Sequence, residues 1–169
     1  MLKTALLVID VQAGLFNKGN PVHDAPAFLL RLSALIRQAR AAGAAVIYVQ
    51  HNNKLLPSGS ADWALHPGLL PPEAGEPIVQ KTHGNAFEDT HLKTLLDERG
   101  INHLVITGMV THGCVKASTL GALELGYTVT LVSDGHSNYH AKALKMIEET
   151  NALLAGQGAR LASAAEVSF

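Results

Sequence analysis

Apolar residues follow two alternating rhythms along this chain. Residues 5–9, Ala-Leu-Leu-Val-Ile, form an unbroken apolar run closed by Asp10, the pattern of a strand covered on both faces. From residue 27 to 42 the rhythm changes. Phe28, Leu29, Leu32, Leu35, Ile36 and Ala39 recur at spacings of three and four, and Gly43 supplies a stop, so a helix is predicted there. The same reading predicts strands over 44–49, 77–81, 103–108 and 127–132, and helices over 89–99, 113–125 and 140–155, with an edge strand over 159–162. Between residues 52 and 77 the rhythm is lost in a segment holding five of the seven prolines. A loop of that length usually covers a site or a partner surface.

Strands that alternate with helices imply parallel pairing through right-handed crossovers. The expected fold class is α/β: one three-layer α/β/α sandwich domain over residues 1–169, with a mostly parallel, Rossmann-like sheet of five or six strands. Ligands of such sheets bind beyond the carboxyl ends of the strands. Chemistry is therefore to be sought at Asp10, His51, Lys81, the turn from Gly108 to Cys114, and Asp134.

Composition narrows the function. With 169 residues, 47% of them apolar, the chain can close a core, and disorder is excluded. Thirteen basic against fourteen acidic side chains leave a formal charge of -1, without the basic field from which nucleic-acid binding starts. The opening apolar run is too short for a signal peptide or a membrane span, so no membrane association and a cytoplasmic location are expected. One cysteine, Cys114, rules out internal disulfides and Cys-rich zinc sites. No G-x-G-x-x-G follows the first strand and no phosphate-binding loop occurs, so no nucleotide cofactor is expected. Of the two D-x-H pairs, Asp89 to His91 reads as a helix cap and Asp134 to His136 as a strand end that could line a pocket. Neither has a third ligand at suggestive spacing, and no metal is expected.

Cys114 lies directly after a predicted parallel strand and in the first turn of a predicted helix. Free N–H groups and the helix dipole there favour a thiolate and lower the thiol pKa, and the same N–H groups can hold an oxyanion. Gly108 and Gly113 let the backbone approach a ligand closely. Asp10 can act as general base toward the thiol, and the Lys81 ammonium can stabilise both acids. All three stand at carboxyl ends of strands.

The segments Asp10-Val11-Gln12 with Phe16, Lys81 with Asn85-Ala86-Phe87 and Thr90, and Gly108-Met109-Val110-Thr111-His112-Gly113-Cys114-Val115 resemble the isochorismatase-like cysteine hydrolases. So does the run from Gly126 through Asp134-Gly135-His136-Ser137, and the likeness extends from about Leu6 to Ser137. The resemblance implies an Asp10–Lys81–Cys114 triad. It also implies a cis peptide at Val110–Thr111, with an oxyanion hole formed by that turn and Cys114. Asn85 stands where the family commonly has serine, a change expected to bear on substrate choice, as does the preceding His83-Gly84. The His51-Asn52-Asn53 segment lacks the metal-binding D-x-H of the nicotinamidase branch. Retention of the cysteine favours hydrolysis of a small amide, ureido or carbamoyl C–N bond through a thioester. The alternatives are vinyl-ether hydrolysis of the isochorismatase type and a silent binding or redox-sensing member. Phe16, Trp63, Phe87 and His136 are expected pocket walls, with a core role the alternative for both Phe residues and Trp63 favoured by its loop; Gln12 is expected either to line the pocket or to fix local backbone. A homodimer or homotetramer is expected, with Leu55, Leu56, Leu69 and Leu70 of the proline-rich segment facing another subunit.

Overall fold

The computed structural model describes residues 3–169. The strands are β1 (Thr4–Ile9), β2 (Ala45–His51), β3 (Ile78–Lys81), β4 (His103–Met109), β5 (Thr128–Ser137) and β6 (Arg160–Ala162). They form one sheet in the order β3-β2-β1-β4-β5-β6, and every pairing is parallel. The helices are α1 (Ala13–Phe16), α2 (Ala25–Ala41), α3 (Leu92–Glu98), α4 (Lys116–Glu124) and α5 (Ala143–Gly156).

The strand period of two sorts the apolar residues onto two faces. Ala5, Leu7 and Ile9 of β1 join Ile47, Val49, Leu104 and Ile106 under Leu92, Leu96, Ala122 and Leu154 of α3, α4 and α5. Leu6 and Val8 face the other way with Val46, Tyr48 and Val105, against Phe28, Leu32, Leu35 and Ile36 of α2. Apolar runs without alternation are what a sheet covered on both sides requires. Among the described residues no helix is long and apolar enough to cross a membrane.

The order in which strands are added reverses between β1 and β4, the two central strands. A crevice opens at such a point because the connections leaving adjacent strands run to opposite faces. Asp10 follows β1 and the cysteine turn follows β4, so the topology itself brings them together.

Several expectations change here. Residues 111–115 form a π-helical turn, interrupted by Gly113 at φ -109 and ψ -108, before the nine-residue α4 begins. Cys114 therefore precedes the regular helix rather than opening it. Strand β5 continues to Ser137 after a register shift opposite Ile106 and Gly108, so Asp134 and His136 lie within a strand. Asp134 uses Oδ1 to accept the Ala164 N–H at 2.7 Å. Helix α3 starts at Leu92, and it is Thr90, not Asp89, whose hydroxyl accepts the Leu92 N–H at 3.2 Å. Gly108 serves the sheet: its φ is +121, and a Cβ there would run into the Ile9 backbone.

The proline-rich segment folds onto its own chain. Ala13 N–H donates to Ala64 O, Gly14 N–H to Asp62 O, and His66 N–H to Val11 O, all at 2.8 Å. Leu56 and Leu69 are buried and Leu70 packs beside α2, which leaves Leu55 as the exposed member of the four expected to meet a second subunit.

Candidate active site

Asp10, Lys81 and Cys114 meet around one buried ammonium. Lys81 Nζ lies 2.8 Å from Asp10 Oδ2 and 3.2 Å from Cys114 Sγ, with both charged side chains almost wholly buried. It also donates to His83 O at 3.0 Å and meets His51 Nδ1 at 2.8 Å. The register explains this reach. His51 and Lys81 are paired positions on β2 and β3, so their side chains project from the same face and Lys81 crosses β2 toward β1. Asp10 leaves β1 in a left-handed conformation, φ 50, and its N–H donates to Val49 O at 2.9 Å. This fixes the carboxylate beside the ammonium. Its second oxygen, Oδ1, is buried without a hydrogen-bond partner.

Burial governs the ionisation. It raises the Asp10 carboxyl above its ordinary range despite Lys81, and pushes the Cys114 thiol up to about 12, with the Asp10 charge adding to the rise and Lys81 opposing it. Burial and the Asp10 charge thus act against the preformed thiolate expected from the sequence, with Lys81 acting for it. Cys114 precedes the regular helix, where a helix dipole acts, and desolvation of the sulfur opposes its charged form. At rest the sulfur carries its proton next to a carboxylate whose basicity is enhanced, and the two titrate as one coupled unit. Alkylation of Cys114 by iodoacetamide should accordingly climb with pH beyond about 8.5, the free-thiol value, without a plateau near neutrality. A neutral plateau would mean that the thiolate is already formed.

One cluster among the described residues has a metal-binding composition: Asp10, His51 and Cys114 offer ligand atoms within 4.8 Å of one another. The Lys81 ammonium sits between them at hydrogen-bond distance, so the cationic place in this cluster belongs to a side chain.

The turn after β4 differs from the expectation by one bond. The cis peptide is Met109–Val110, not Val110–Thr111. Val110 O accepts the N–H groups of Gly113 at 3.0 Å and Val115 at 3.3 Å, which curls the turn around the position of Cys114.

The expected pocket walls divide. Gln12 is fully buried and clamps backbone: its Nε2 donates to His51 O at 3.0 Å and Trp63 O at 2.8 Å, while its Oε1 accepts His51 N–H at 2.9 Å. His136 is buried too. Its ring nitrogens meet the Thr111 hydroxyl at 3.0 Å and Asn151 Oδ1 at 2.9 Å, so it supports the turn from behind. Phe87 stacks on Tyr127 at 5.7 Å within the core. Phe16 lies against His66 at 4.2 Å. Trp63 stands on the loop strapped to residues 11–14, with its Nε1 buried and without a partner. Asn85 is also structural, because its side chain accepts the Phe87 N–H at 3.0 Å and fills the space that a Cβ on Gly121 would need. His83 gives its carbonyl to Lys81 and turns its ring to Asp89 at 3.1 Å.

Several histidines are held neutral by burial. His51, His66, His103, His112 and His136 are all lowered from 6.5 with desolvation as the first cause. A lowered folded pKa gives stability that is present above 6.5 and lost as pH falls. Chemical denaturation should therefore show stability declining below pH 6.5, and His136→Gln should flatten that decline; an unchanged slope would remove His136 from the cause.

A model of the Isochorismatase domain matches residues 4–165. The chain belongs to the isochorismatase family. It is 38% identical over 154 residues to a streptothricin hydrolase of Streptomyces noursei, covering 86% of this chain and 54% of that protein. It is 29% identical over 164 residues to the maleamate amidohydrolase of Pseudomonas putida, covering 82% of this chain and 76% of that one. A crystal structure of an isochorismatase family protein shares 34% identity and a TM-score of 0.89, covering 95% of this chain and 98% of that chain. The chain spans little more than half the length of the two streptothricin hydrolases it matches, 54% and 59%. Within the isochorismatase family, then, similarity covers almost the whole of this chain.

Proposed function

We propose that this chain is a cysteine hydrolase that cleaves a C–N bond of a small amide, ureido or carbamoyl compound through a thioester on Cys114. The observation that carries the reading is the single buried ammonium shared by Asp10 and Cys114. Similarity to proteins named streptothricin hydrolase and maleamate amidohydrolase supports the C–N bond as target.

In this mechanism Asp10 Oδ1 accepts the thiol proton as Sγ attacks the carbonyl carbon. As Asp10 becomes neutral, a Lys81 proton turns toward the sulfur, so the ammonium compensates whichever of the two acids is charged. The carbonyl oxygen gathers negative charge and is held by backbone N–H groups of the turn, with Thr111 and Cys114 as donors and Val110 shaping it. Asp10 then returns its proton to the leaving nitrogen. Ammonia or an amine departs, water deprotonated by the same carboxylate attacks the thioester, the C–S bond breaks to release the acid, and Sγ takes the proton back from Asp10. No metal or organic cofactor is needed for any of these proton or acyl transfers.

Ammonia release from a panel of small amides, ureides and carbamoyl compounds tests the reading. Turnover of one class that is lost on alkylation of Cys114 is the expected result. Turnover that survives full alkylation would overturn it.

A further inference from the structure

His51 is an unassigned member of this site, and its protonation can be read from its surroundings. Lys81 has three protons to offer but four neighbours at hydrogen-bond distance: Asp10 Oδ2, His51 Nδ1, His83 O and Cys114 Sγ. An ammonium only donates, so His51 Nδ1 must accept and the ring proton must sit on Nε2. Burial and the Lys81 charge both depress the His51 pKa, which keeps the ring neutral. The backbone of His51 is held from both sides by Gln12. Nε2 has no hydrogen-bond partner among the described residues and is not sealed from solvent. A donor locked in tautomer and position, yet unpartnered, fits a ligand acceptor.

Resting on the hydrolase reading above, we propose that His51 Nε2–H is a specificity-determining donor that selects amides bearing a second, uncharged carbonyl oxygen. The argument for an uncharged group is electrostatic. Asp10 and Lys81 cancel, the thiol is neutral, and His51 offers a dipole rather than a charge, so a carboxylate meets no countercharge here to offset the hydration it loses. A diamide or ureide oxygen gains the hydrogen bond at a smaller desolvation cost.

Three compounds with the same four-carbon frame separate these cases: succinamide, succinamate and butyramide. Their protection of Cys114 against monobromobimane reports binding whether or not turnover occurs. In the parent protein succinamide should protect at about tenfold lower concentration than butyramide, the worth of one hydrogen bond, and below succinamate as well. His51→Phe should reduce that preference to about twofold or less. His51→Gln, which keeps an acceptor for Lys81 and a donor for the ligand, should restore most of it. A ratio between ligands is insensitive to a general loss of folding. No preference for succinamide in the parent protein, or a preference undiminished in His51→Phe, would overturn the proposal. Failure of the hydrolase reading looks different: amide turnover would persist after Cys114 is fully labelled, whatever the preference.

Discussion

Cys114→Ala is expected to fold as the parent chain does and to lose amide turnover by about 10⁴-fold or more, the scale seen when a covalent nucleophile is removed. The substitution removes one half-buried sulfur from the end of a hydrogen-bonding chain and leaves the Asp10–Lys81 ion pair intact. Cores tolerate such a small loss of volume at modest cost. Stability and activity should therefore separate, which a denaturation curve and a single turnover assay will show together. Activity within about tenfold of the parent would mean that the sulfur does not bond to the substrate.

Lys81→Met is expected to damage both properties at once. The methionine keeps the apolar stem but leaves Asp10 fully buried without its cation, and breaking a buried pair from one side costs about 3–5 kcal/mol. The pH dependence identifies the cause. The Asp10 carboxyl is already raised above 3.8 by burial, and loss of Lys81 raises it further. A raised acid binds its proton more readily in the folded state, so its contribution is most favourable below 3.8 and is lost as pH rises. Lys81→Met should thus be closest to the parent protein in acid and furthest from it at neutral pH. Adding Asp10→Asn should recover part of the neutral-pH deficit, because no buried charge remains. A deficit that is the same at every pH, and untouched by the second substitution, would place the cost in packing instead.

The parallel sheet and its helices were legible because burial on both faces leaves apolar runs without alternation, and helical spacing fills the gaps between them. Asp10 and Lys81 were legible for a related reason, as charges that close apolar strands, and Cys114 as the lone cysteine of the glycine-flanked turn that follows β4. His51 was visible as a strand end, but its role depends on register with Lys81 across β2 and β3, and pairing of distant strands leaves no local trace. Gln12, Phe87 and His136 looked available for a substrate because polar and aromatic residues near strand ends resemble pocket walls. Each is instead engaged by backbone, a stacked ring or a buried hydrogen bond that only tertiary structure supplies. The thiol shows the same limit. Its place after a strand suggested stabilised negative charge, whereas burial beside a carboxylate reverses the direction. The proline-rich segment carried leucines enough for an interface, but antiparallel contacts to residues 11–14 fold most of them inward.

The most direct measurement is the mass of the protein quenched in acid during turnover of an amide found by ammonia release. A fraction of the protein is expected to be heavier by the acyl group, attached to the peptide containing Cys114, and the same adduct should persist in Asp10→Asn once that variant is acylated by an activated ester of the same acid. Steady turnover with Cys114 always at its unmodified mass, under conditions that preserve thioesters and with that ester unable to acylate it, would contradict the account.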